Sequence, residues 1–394
     1  MGKIAIIGAG ASGLLCSIEC AKAGLEVDIY EQNTKCAKKI LVSGNGRCNI
    51  TNTTFTQSDY FGEDTSFVKD ALEQFSFKEF EKFASSIGLL LDSKDDGKVY
   101  PFSNEAKSVA SLLENHAKTL GVNFILENRV NDIKLLLNTY DKVVIATGSE
   151  AASHLGGNSD GIHFAKECGH NTIPTYPSLV QLHLNSESHA KMSGTKVDGE
   201  VTLYINNQSS ISRQGDILFT NYGVSGFAIL DISQLASESL MNFQTVDISV
   251  NLLPKFTNQK LSSHIMNTAY KDSCITDVLH GLLPIKIVKG ILDELQLSHS
   301  MKISEINTKL SKKIANQVLN WKFEVSNTHG FRHAEVSGGG VDTKEVNPKT
   351  MESLLQKNLY FCGEVLDVLG RRGGFNFAWA WASGYSAAKD ITKD

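Results

Sequence analysis

The first 31 residues constrain the fold more than any other stretch of the chain. An apolar run, Lys3 to Ile7, leads into the string G-A-G-A-S-G at 8–13 and then into an amphipathic stretch that ends at Gly24. A second apolar run, Val27 to Tyr30, is closed by Glu31. The pattern predicts a strand, a tight turn, a helix and a second strand, which is the start of a parallel α/β sheet.

Each glycine of this string has its own role in a dinucleotide-binding turn. Gly8 permits the tight bend, Gly10 lets a pyrophosphate approach the backbone, and Gly13 lets the helix pack closely on the strand. The phosphates then lie at a helix N-terminus, where free N–H groups favour negative charge. Glu31 is placed to bind an adenosine ribose and disfavours a 2′-phosphate, so the expected ligand is FAD or NAD rather than NADP. The expected contacts in the string are Gly8, Gly10, Ala11, Ser12 and Gly13.

The composition is that of an ordinary soluble globular protein, since 41% of the 394 residues are hydrophobic and 21% are charged. The net charge is −5 and no lysine- or arginine-rich block is present, so we expect neither a nucleic-acid partner nor a membrane surface. The seven cysteines form no C-x-x-C pair and no metal-like spacing, which favours reduced thiols in a cytoplasmic protein without a metal site. No uninterrupted apolar stretch is long enough to span a membrane.

Two further stretches carry small residues in positions suited to a ligand. Residues 40–52 form a glycine- and asparagine-rich loop that contains Arg47 and Cys48; it is either a structured turn or a loop lying against a flat, phosphorylated ligand. A buried-type strand, Asp141 to Ile145, runs directly into Ala146-Thr147-Gly148. In an open α/β sheet the ligand lies at this carboxyl edge, so these three residues are also candidate cofactor contacts.

The texture of the sequence changes near Leu179. Apolar and polar residues alternate in Val201 to Ile205 and in Val246 to Leu252, which predicts antiparallel strands with one solvated face. Between Lys255 and Leu319 the apolar period becomes helical, and a strand pattern returns in Trp321 to Val325 and in Ala334 to Val336, which we expect to complete the antiparallel unit. The expected domains are 1–178 with 337–394, a β-rich insertion of 179–254 with 320–336, and a helical domain of 255–319.

Glycine returns in the C-terminal segment. The strand-like run Leu359 to Cys362 ends at Gly363-Glu364, and R-R-G-G-F-N at 371–376 opens a long apolar run. A helix that begins at these glycines presents free N–H groups able to stabilise negative charge on a ligand. A ligand that runs from Glu31 past the first glycine turn to 363–377 has the length of FAD rather than NAD.

Taken together, these strings resemble the bacterial HI0933-like flavoproteins, also called the YhiN family, whose members include proteins named aminoacetone oxidases and BaiN-like NAD(P)- and FAD-dependent oxidoreductases. The resemblance covers nearly the full chain. It implies an α/β fold in which a Rossmann-type FAD-binding domain is assembled from both chain ends, with an inserted antiparallel β domain and a small helical domain. It rests on G-A-G-A-S-G, K-K-I-L-V-S-G-N-G-R-C-N-I-T-N, V-Y-P-F-S-N-E-A, F-T-N-Y-G-V-S-G and L-Y-F-C-G-E-V-L-D-V-L-G-R-R-G-G-F-N.

The resemblance also implies a permanently bound FAD and a set of residues around it. In this family pattern the first glycine turn holds the pyrophosphate, Glu31 binds the adenosine ribose, and Val130 contacts adenine through its backbone. The other implied contacts are Lys39, Gly44, Gly46, Arg47, Cys48 and Asn49 along the cleft, Gly363, Glu364 and Asp367 near the ribityl chain and phosphates, and Gly374, Phe375, Asn376 and Phe377 facing the flavin ring.

Two positions depart from the family pattern where the substrate side of the flavin is expected. Phe227 stands in place of a common proline after F-T-N-Y-G-V-S-G, and Leu369 in place of a common aspartate. The identity of the substrate is therefore not carried over from any one relative.

The expected function is an FAD-dependent oxidoreductase that acts on a small molecule, with hydride exchanged with transient NAD(P)H or directly with the substrate. Only one dinucleotide fingerprint is present, so NAD(P)H has no second Rossmann unit. No catalytic acid or base is assigned: Arg47, Tyr222 and His329 are weak candidates, and Cys48 lacks the second nearby cysteine of a disulfide reductase. The alternatives are a redox-sensing flavoprotein without catalysis and an RNA-modifying flavoprotein, which the acidic balance disfavours.

Overall fold

The computed structural model describes residues 2–267 and 272–393. They form two compact units: the terminal unit runs up to Tyr176 and resumes at Glu335, and the inserted unit runs from Pro177 to Ala334. Met1, residues 268–271 and Asp394, which the expected domain ranges include, lie outside the described residues. The further division of the insertion into a β-rich and a helical domain stays a prediction.

The strands range from two to 12 residues, and most of them lie in two large sheets, one in each unit. In chain order they are β1 (Lys3–Ile7), β2 (Glu26–Tyr30), β3 (Thr51–Asn52), β4 (Tyr60–Phe61), β5 (Leu91–Ser93), β6 (Lys98–Pro101), β7 (Asn123–Ile125), β8 (Lys142–Ile145), β9 (Thr172–Ser178), β10 (Leu182–Leu184), β11 (Lys196–Ile205), β12 (Gln208–Phe219), β13 (Gly223–Ser225), β14 (Val246–Asn251), β15 (Trp321–Thr328), β16 (Val336–Val341), β17 (Leu359–Phe361) and β18 (Leu369–Gly370).

The helices include two long ones near the chain ends and a group in the inserted unit. In chain order they are α1 (Ala11–Lys22), α2 (Lys38–Val42), α3 (Val68–Gln74), α4 (Phe77–Ser86), α5 (Ala106–Thr119), α6 (Ile133–Thr139), α7 (Asp160–Glu167), α8 (Ser188–Lys191), α9 (Phe227–Leu230), α10 (Ser233–Met241), α11 (Asn258–Met266), α12 (Ile275–His280), α13 (Ile285–Glu294), α14 (Thr308–Leu319) and α15 (Phe375–Ile391). Across the ranges that the structure describes, no helix is both long and apolar enough to cross a bilayer.

The terminal unit is built on a parallel sheet with the strand order β17-β8-β1-β2-β7. Its central strands are buried on both faces, which explains why β1 and β8 are apolar without alternation. Helices α1 and α15 pack tightly on one another, because a Cβ on Gly384 would lie only 2.5 Å from the carbonyl oxygen of Ser12. The predicted Rossmann-type architecture, with strands from both chain ends, is therefore confirmed.

The inserted unit is a closed barrel with the order β10-β13-β12-β11-β14-β15, in which β15 pairs back to β10. Alternation in β15 buries Trp321, Phe323 and Val325 and leaves the residues between them exposed. The same hydrophobic core takes in the apolar faces of the helices, including Ile291 and Ile314. The predicted antiparallel strands with one solvated face are present, and closure into a barrel is an addition that alternation alone does not encode.

Of the two segments expected to complete the antiparallel insertion, Trp321 to Val325 does so as part of β15, whereas the expectation for Ala334 to Val336 is wrong. The strand there is β16, and it pairs with β9, outside the barrel. The physical reason lies in its glycines: a Cβ on Gly338 would collide with the ring of Tyr176, and one on Gly339 would collide with the carbonyl of Pro174. Only a glycine-rich strand can approach β9 this closely.

Candidate functional site

The carboxyl edge of the parallel sheet gathers many of the predicted cofactor residues. Strands β1, β2, β8 and β17 end at this edge, because all four run in the same direction. The residues that follow them are Gly8, Glu31, Ala146 and Cys362, the last of which precedes Gly363. Segments far apart in sequence therefore meet along one line in the terminal unit.

In the glycine turn after β1, two glycines are required for close packing and a third leaves space for a ligand. Gly8 has φ +109°, and a Cβ there would collide with the carbonyl oxygen of Ala146. A Cβ on Gly13 would collide with the carbonyl oxygen of Gly8, so this glycine holds α1 against β1. A Cβ on Gly10 would meet no atom within 4 Å. Gly10 therefore faces open space at the first turn of α1, whose leading N–H groups have no intrahelical partner.

Glu31 is held rigidly beside this turn. Its Oε2 accepts from the Ala9 N–H at 3.1 Å, and its Oε1 accepts from the Asn33 N–H and side-chain amide at 2.8 and 2.7 Å. The Glu31 carbonyl accepts from the Asn128 N–H at 3.0 Å, which draws the segment before Val130 to the same place. A fixed carboxylate and a nearby backbone segment suit the adenosine end of a dinucleotide.

Glu364 joins four segments at the opposite part of the edge. Its carboxylate accepts from Lys39 Nζ at 2.8 Å, from Ser149 Oγ at 2.6 Å and from the Ser337 N–H at 2.9 Å. It is therefore an anchor for α2, for the loop that follows Ala146-Thr147-Gly148, and for β16. Lys39 is balanced by this contact and does not stand as an isolated positive charge.

The loop 43–49 divides into exposed and buried parts. Gly44, Gly46 and Arg47 are exposed, and the guanidinium of Arg47 lies 5.3 Å from the centre of the Tyr100 ring. The Cys48 side chain is fully buried, and burial raises the pKa of its thiol to about 11. Cys48 is therefore a protonated thiol at neutral pH, and only its backbone is available to a ligand.

The start of α15 is tied to the strand that follows this loop. Gly374 has φ +96°, and a Cβ there would collide with the carbonyl of Thr51. The Asn52 amide donates to the Gly373 carbonyl at 2.9 Å, and the Asn49 amide, oriented to satisfy its neighbours, accepts from the Gly374 N–H at 3.2 Å. The Asn376 side chain bonds both backbone groups of Gly370.

Two aromatic residues at the start of α15 are committed to packing. The Phe375 side chain is 1% exposed and packs edge-on against Tyr60, so it contributes only backbone atoms to a ligand. Phe377 is half-buried and stacks on Trp381 at 5.9 Å. The expectation that both residues face a flavin ring stays a prediction, and for Phe375 it concerns the backbone alone.

Gly363 is clamped by side chains of α15. Its N–H donates to Ser383 Oγ at 2.9 Å and its carbonyl accepts from the Trp379 indole N–H at 3.0 Å. Asp367, which is buried, accepts from the Glu63 N–H at 2.8 Å. These contacts fix the backbone between β17 and α15.

The structure thus brings the residues after β1, β2, β8 and β17 together at one edge and ties the segment 49–52 to the start of α15, and it adds partners that sequence reasoning missed. Asn33, Ser149, Ser337 and Trp379 orient the predicted residues, but none of them belongs to a motif. The one available signal is proximity in sequence, since Asn33 follows Glu31 by two positions.

In the inserted unit, the weak candidates Tyr222 and His329 belong to a stack of rings. His329 lies 4.1 Å from Tyr222 and 4.1 Å from His333, between ring centres, and its Nδ1 is 2.7 Å from His183 Nε2. Burial, together with the nearby His333 and His183, lowers the pKa of His329. Among the side chains that the structure describes, no group of three or more His, Cys, Asp or Glu residues is arranged to hold a metal ion.

The two departures from the family pattern fall in different units. Leu369 is buried in β18, which pairs with β4 in the terminal unit. Phe227 begins α9 in the inserted unit, is half-exposed, and donates its N–H to Asp216 Oδ1 at 2.9 Å. Leu369 therefore acts as a core residue, whereas Phe227 presents an apolar ring to solvent.

A parallel sheet whose carboxyl edge carries an open glycine turn, a fixed acidic residue and a second glycine-rich helix start defines the class of Rossmann-type FAD-binding flavoproteins. Within that class the chain belongs to the HI0933-like family, because the HI0933-like protein Rossmann domain matches residues 2–390. The predicted family and the flavoprotein oxidoreductase class are both confirmed.

Three relatives align along almost their whole length. A 3-dehydro-bile acid delta(4,6)-reductase of Clostridium scindens is 33% identical over 99% of this chain and 98% of its own. A ribosomal RNA dihydrouridine synthase of Haemophilus influenzae is 31% identical over 98% of each chain. The enzyme of the same name from Escherichia coli is 31% identical over 98% of this chain and 97% of its own.

Proposed function

We propose that this protein is an FAD-dependent reductase that saturates a carbon–carbon double bond conjugated to a carbonyl group. The names of the relatives support this proposal, because both named activities act on such a bond. A delta(4,6)-unsaturated 3-dehydro bile acid is a conjugated dienone, and dihydrouridine is uridine in which the ring double bond next to a carbonyl is saturated. The carbonyl polarises the double bond, so its far carbon accepts hydride and its near carbon accepts a proton.

The terminal unit has the parts that hold such a cofactor. The leading N–H groups of α1 bind the pyrophosphate, and Gly10 admits it because no side chain stands in the way. Glu31 binds the ribose from its fixed position beside Ala9. The open space beside the Gly10 Cα is the observation that carries this part of the proposal. At Gly8 and Gly13 the corresponding space is occupied by backbone atoms.

The start of α15 serves the reactive end of the cofactor. FAD, when bound and reduced, would supply the hydride. The first N–H groups of this 17-residue helix have no intrahelical partner and its first turn contains no acidic residue, so it favours negative charge on the reduced ring. Asn49, Asn52 and Asn376 hold this helix start in place. Gly363 and Asp367 line the stretch between the two helix starts.

The electron donor in this proposal is NADH or NADPH, which binds transiently and leaves. The chain has one dinucleotide fingerprint, at 8–13, and α1 and Glu31 use it for FAD. A transient donor is consistent with this single site. A cytoplasmic location is part of the proposal and is supported by seven cysteines that are all free thiols.

An anaerobic spectrophotometric experiment tests the reaction. We expect purified protein to carry flavin absorbance that NADH or NADPH bleaches. Addition of a 3-oxo steroid with a conjugated double bond, or of a uridine-containing RNA, should restore the absorbance, whereas the saturated analogue of each should not. The proposal fails if oxygen reoxidises the reduced flavin while every conjugated acceptor leaves it reduced.

A further inference from the structure

Two helices of the inserted unit, α11 and α14, pack against each other through small polar residues. Ser262 Oγ and Ser311 Oγ are 2.7 Å apart in the buried contact, and the Asn258 amide donates to the Lys312 carbonyl at 3.1 Å. Leu261 and Ile314 bury the apolar faces of the two helices in the core of the unit. The opposite faces of both helices are therefore left to solvent.

The solvent faces of this helix pair carry lysines and no acid. Neither helix contains an aspartate or a glutamate, although the whole chain has a net charge of −5. The nearest acidic residue before α14 is Glu305. We define the lysine face as the five exposed lysines of this helix pair and of the segment just before it, Lys255, Lys260, Lys309, Lys312 and Lys313.

Within the described part of the inserted unit, no acidic side chain pairs with the lysine face. Among the ion pairs of the described residues, none involves these five ammonium groups. The acids on the neighbouring α13 are engaged elsewhere: Asp293 pairs with Lys191 and His299, and Glu294 accepts from Ser188. Lys309 also stands three and four positions before Lys312 and Lys313, a spacing at which like charges repel on a helix.

We propose that the lysine face docks the phosphate backbone of an RNA. Lysines on one surface match the regular negative charge of a phosphate chain and bind it as point charges without reading sequence. A lipid surface fits poorly, because no apolar residue of either helix is exposed and Gln259, Ser263 and Asn316 stand beside the lysines. Two relatives are named ribosomal RNA dihydrouridine synthases, which is consistent with an RNA partner.

This proposal departs from the expectation of no nucleic-acid partner. That expectation followed from the absence of a contiguous basic block, whereas the fold gathers lysines from two segments separated by α12 and α13. The proposal concerns binding alone, so it does not depend on the reductase reaction, and its test needs no turnover.

The test compares two triple variants of the full-length holoprotein. K309Q/K312Q/K313Q removes three charges from the lysine face, and K69Q/K78Q/K107Q removes three exposed lysines from helices of the terminal unit. Both variants change the net charge equally and keep side chains that favour helices. Binding to a fluorescent single-stranded 20-nucleotide RNA is measured by anisotropy from low to moderate salt, and retained flavin absorbance with an unchanged melting temperature shows that each variant is folded.

We expect the lysine-face variant to bind at least about tenfold more weakly at low salt and to lose about 2 from the slope of log affinity against log salt. The control variant should keep the slope of the unchanged protein. Equal slopes for the two variants would overturn the proposal. So would binding of phosphatidylglycerol vesicles through these lysines by a protein that leaves the RNA unbound.

Discussion

The two units of the molecule use sequence in different ways. The terminal unit builds its site from backbone: glycines that permit contact, N–H groups at helix starts, and side chains that fix carbonyls. The inserted unit builds its surfaces from side chains that become neighbours only after folding, such as the ring stack of His329 and the lysine face. The residues that form a backbone site lie close together in the sequence, whereas the residues that form a side-chain surface are separated along the chain.

The largest effect is expected for Gly13→Ala in the glycine turn. A Cβ at this position collides with the Gly8 carbonyl, which cannot move without shifting β1, so we expect a loss of about 1–3 kcal/mol in the free energy of unfolding, together with loss of FAD. Urea unfolding of the FAD-free protein and flavin absorbance of the purified protein measure the two effects.

Gly10→Ala is the matched control for that change. Its Cβ points into open space, and its backbone lies in a region open to alanine (φ −82°), so the FAD-free protein should unfold as the unchanged protein does. Its FAD affinity should nevertheless fall by about tenfold or more, or roughly 1.4 kcal/mol, because the methyl group stands where the pyrophosphate approaches. If Gly10→Ala keeps its FAD, the assignment of the pyrophosphate site is wrong.

A pair of buried tryptophans gives the second comparison between the units. Trp379 donates its indole N–H to the buried Gly363 carbonyl, whereas the indole N–H of Trp321, within the part of the inserted unit that is described, has no partner. Both side chains are 1% exposed. Trp379→Phe should therefore destabilise by about 0.5–1.5 kcal/mol more than Trp321→Phe, because it removes the shorter of two hydrogen bonds to a buried carbonyl, whose other donor, the Leu366 N–H, lies at 3.4 Å.

Chemical denaturation of both variants, followed by circular dichroism, measures the difference. Trp379→Phe should also weaken FAD binding, since Gly363 sits at the carboxyl edge, and Trp321→Phe should not. Equal losses of stability would mean that the clamp on Gly363 adds nothing beyond the volume of the ring.

The sequence predicts the backbone features of the terminal unit better than the side-chain contacts and surfaces of the molecule. The turn at Gly8 to Gly13 and the helix start at Gly374 could be predicted, because short local strings of glycine encode them. Glu31 could be predicted because it is the acidic residue that closes the second strand of the same pattern. The partners of Glu364 could not, because Ser149 and Ser337 carry no signal of their own. Closure of the barrel and the pairing of β16 outside it could not be predicted either. Alternation of apolar and polar residues shows which face of a strand is buried, but it does not show which strand lies beside it.

The pH dependence of stability gives a smaller effect. Burial lowers the pKa of His170, whose Nε2 is 2.7 Å from Ser353 Oγ, and the nearby Glu345 only partly offsets this. The pKa of His170 in the folded protein lies below its unfolded value of about 6.5. The contribution of neutral His170 to the free energy of unfolding is therefore complete above about pH 6.5 and is lost as the pH falls below that value. We expect the free energy of unfolding to fall as the pH is lowered from about 7.5 to about 5.5.

His170→Gln tests this prediction. The variant should be less stable at the higher pH, because it lacks the contact with Ser353, but its stability should change less on acidification. His280→Gln, an exposed histidine of the inserted unit, should leave the pH dependence as it was. A His170→Gln profile parallel to that of the unchanged protein would exclude His170 as the source.

The smallest effect is expected at Cys48, although its loop is part of the predicted cofactor cleft. Burial raises the pKa of its thiol to about 11, so that almost no thiolate is present at neutral pH and the sulfur is not a redox partner. Cys48→Ser should keep its flavin absorbance and its rate of reduction by NAD(P)H, and a disulfide reagent should modify the half-exposed Cys274 of the inserted unit before Cys48, as measured by mass spectrometry. Loss of turnover in a Cys48→Ser protein that retains FAD would show instead that the terminal unit uses a side chain for chemistry, and not only its backbone.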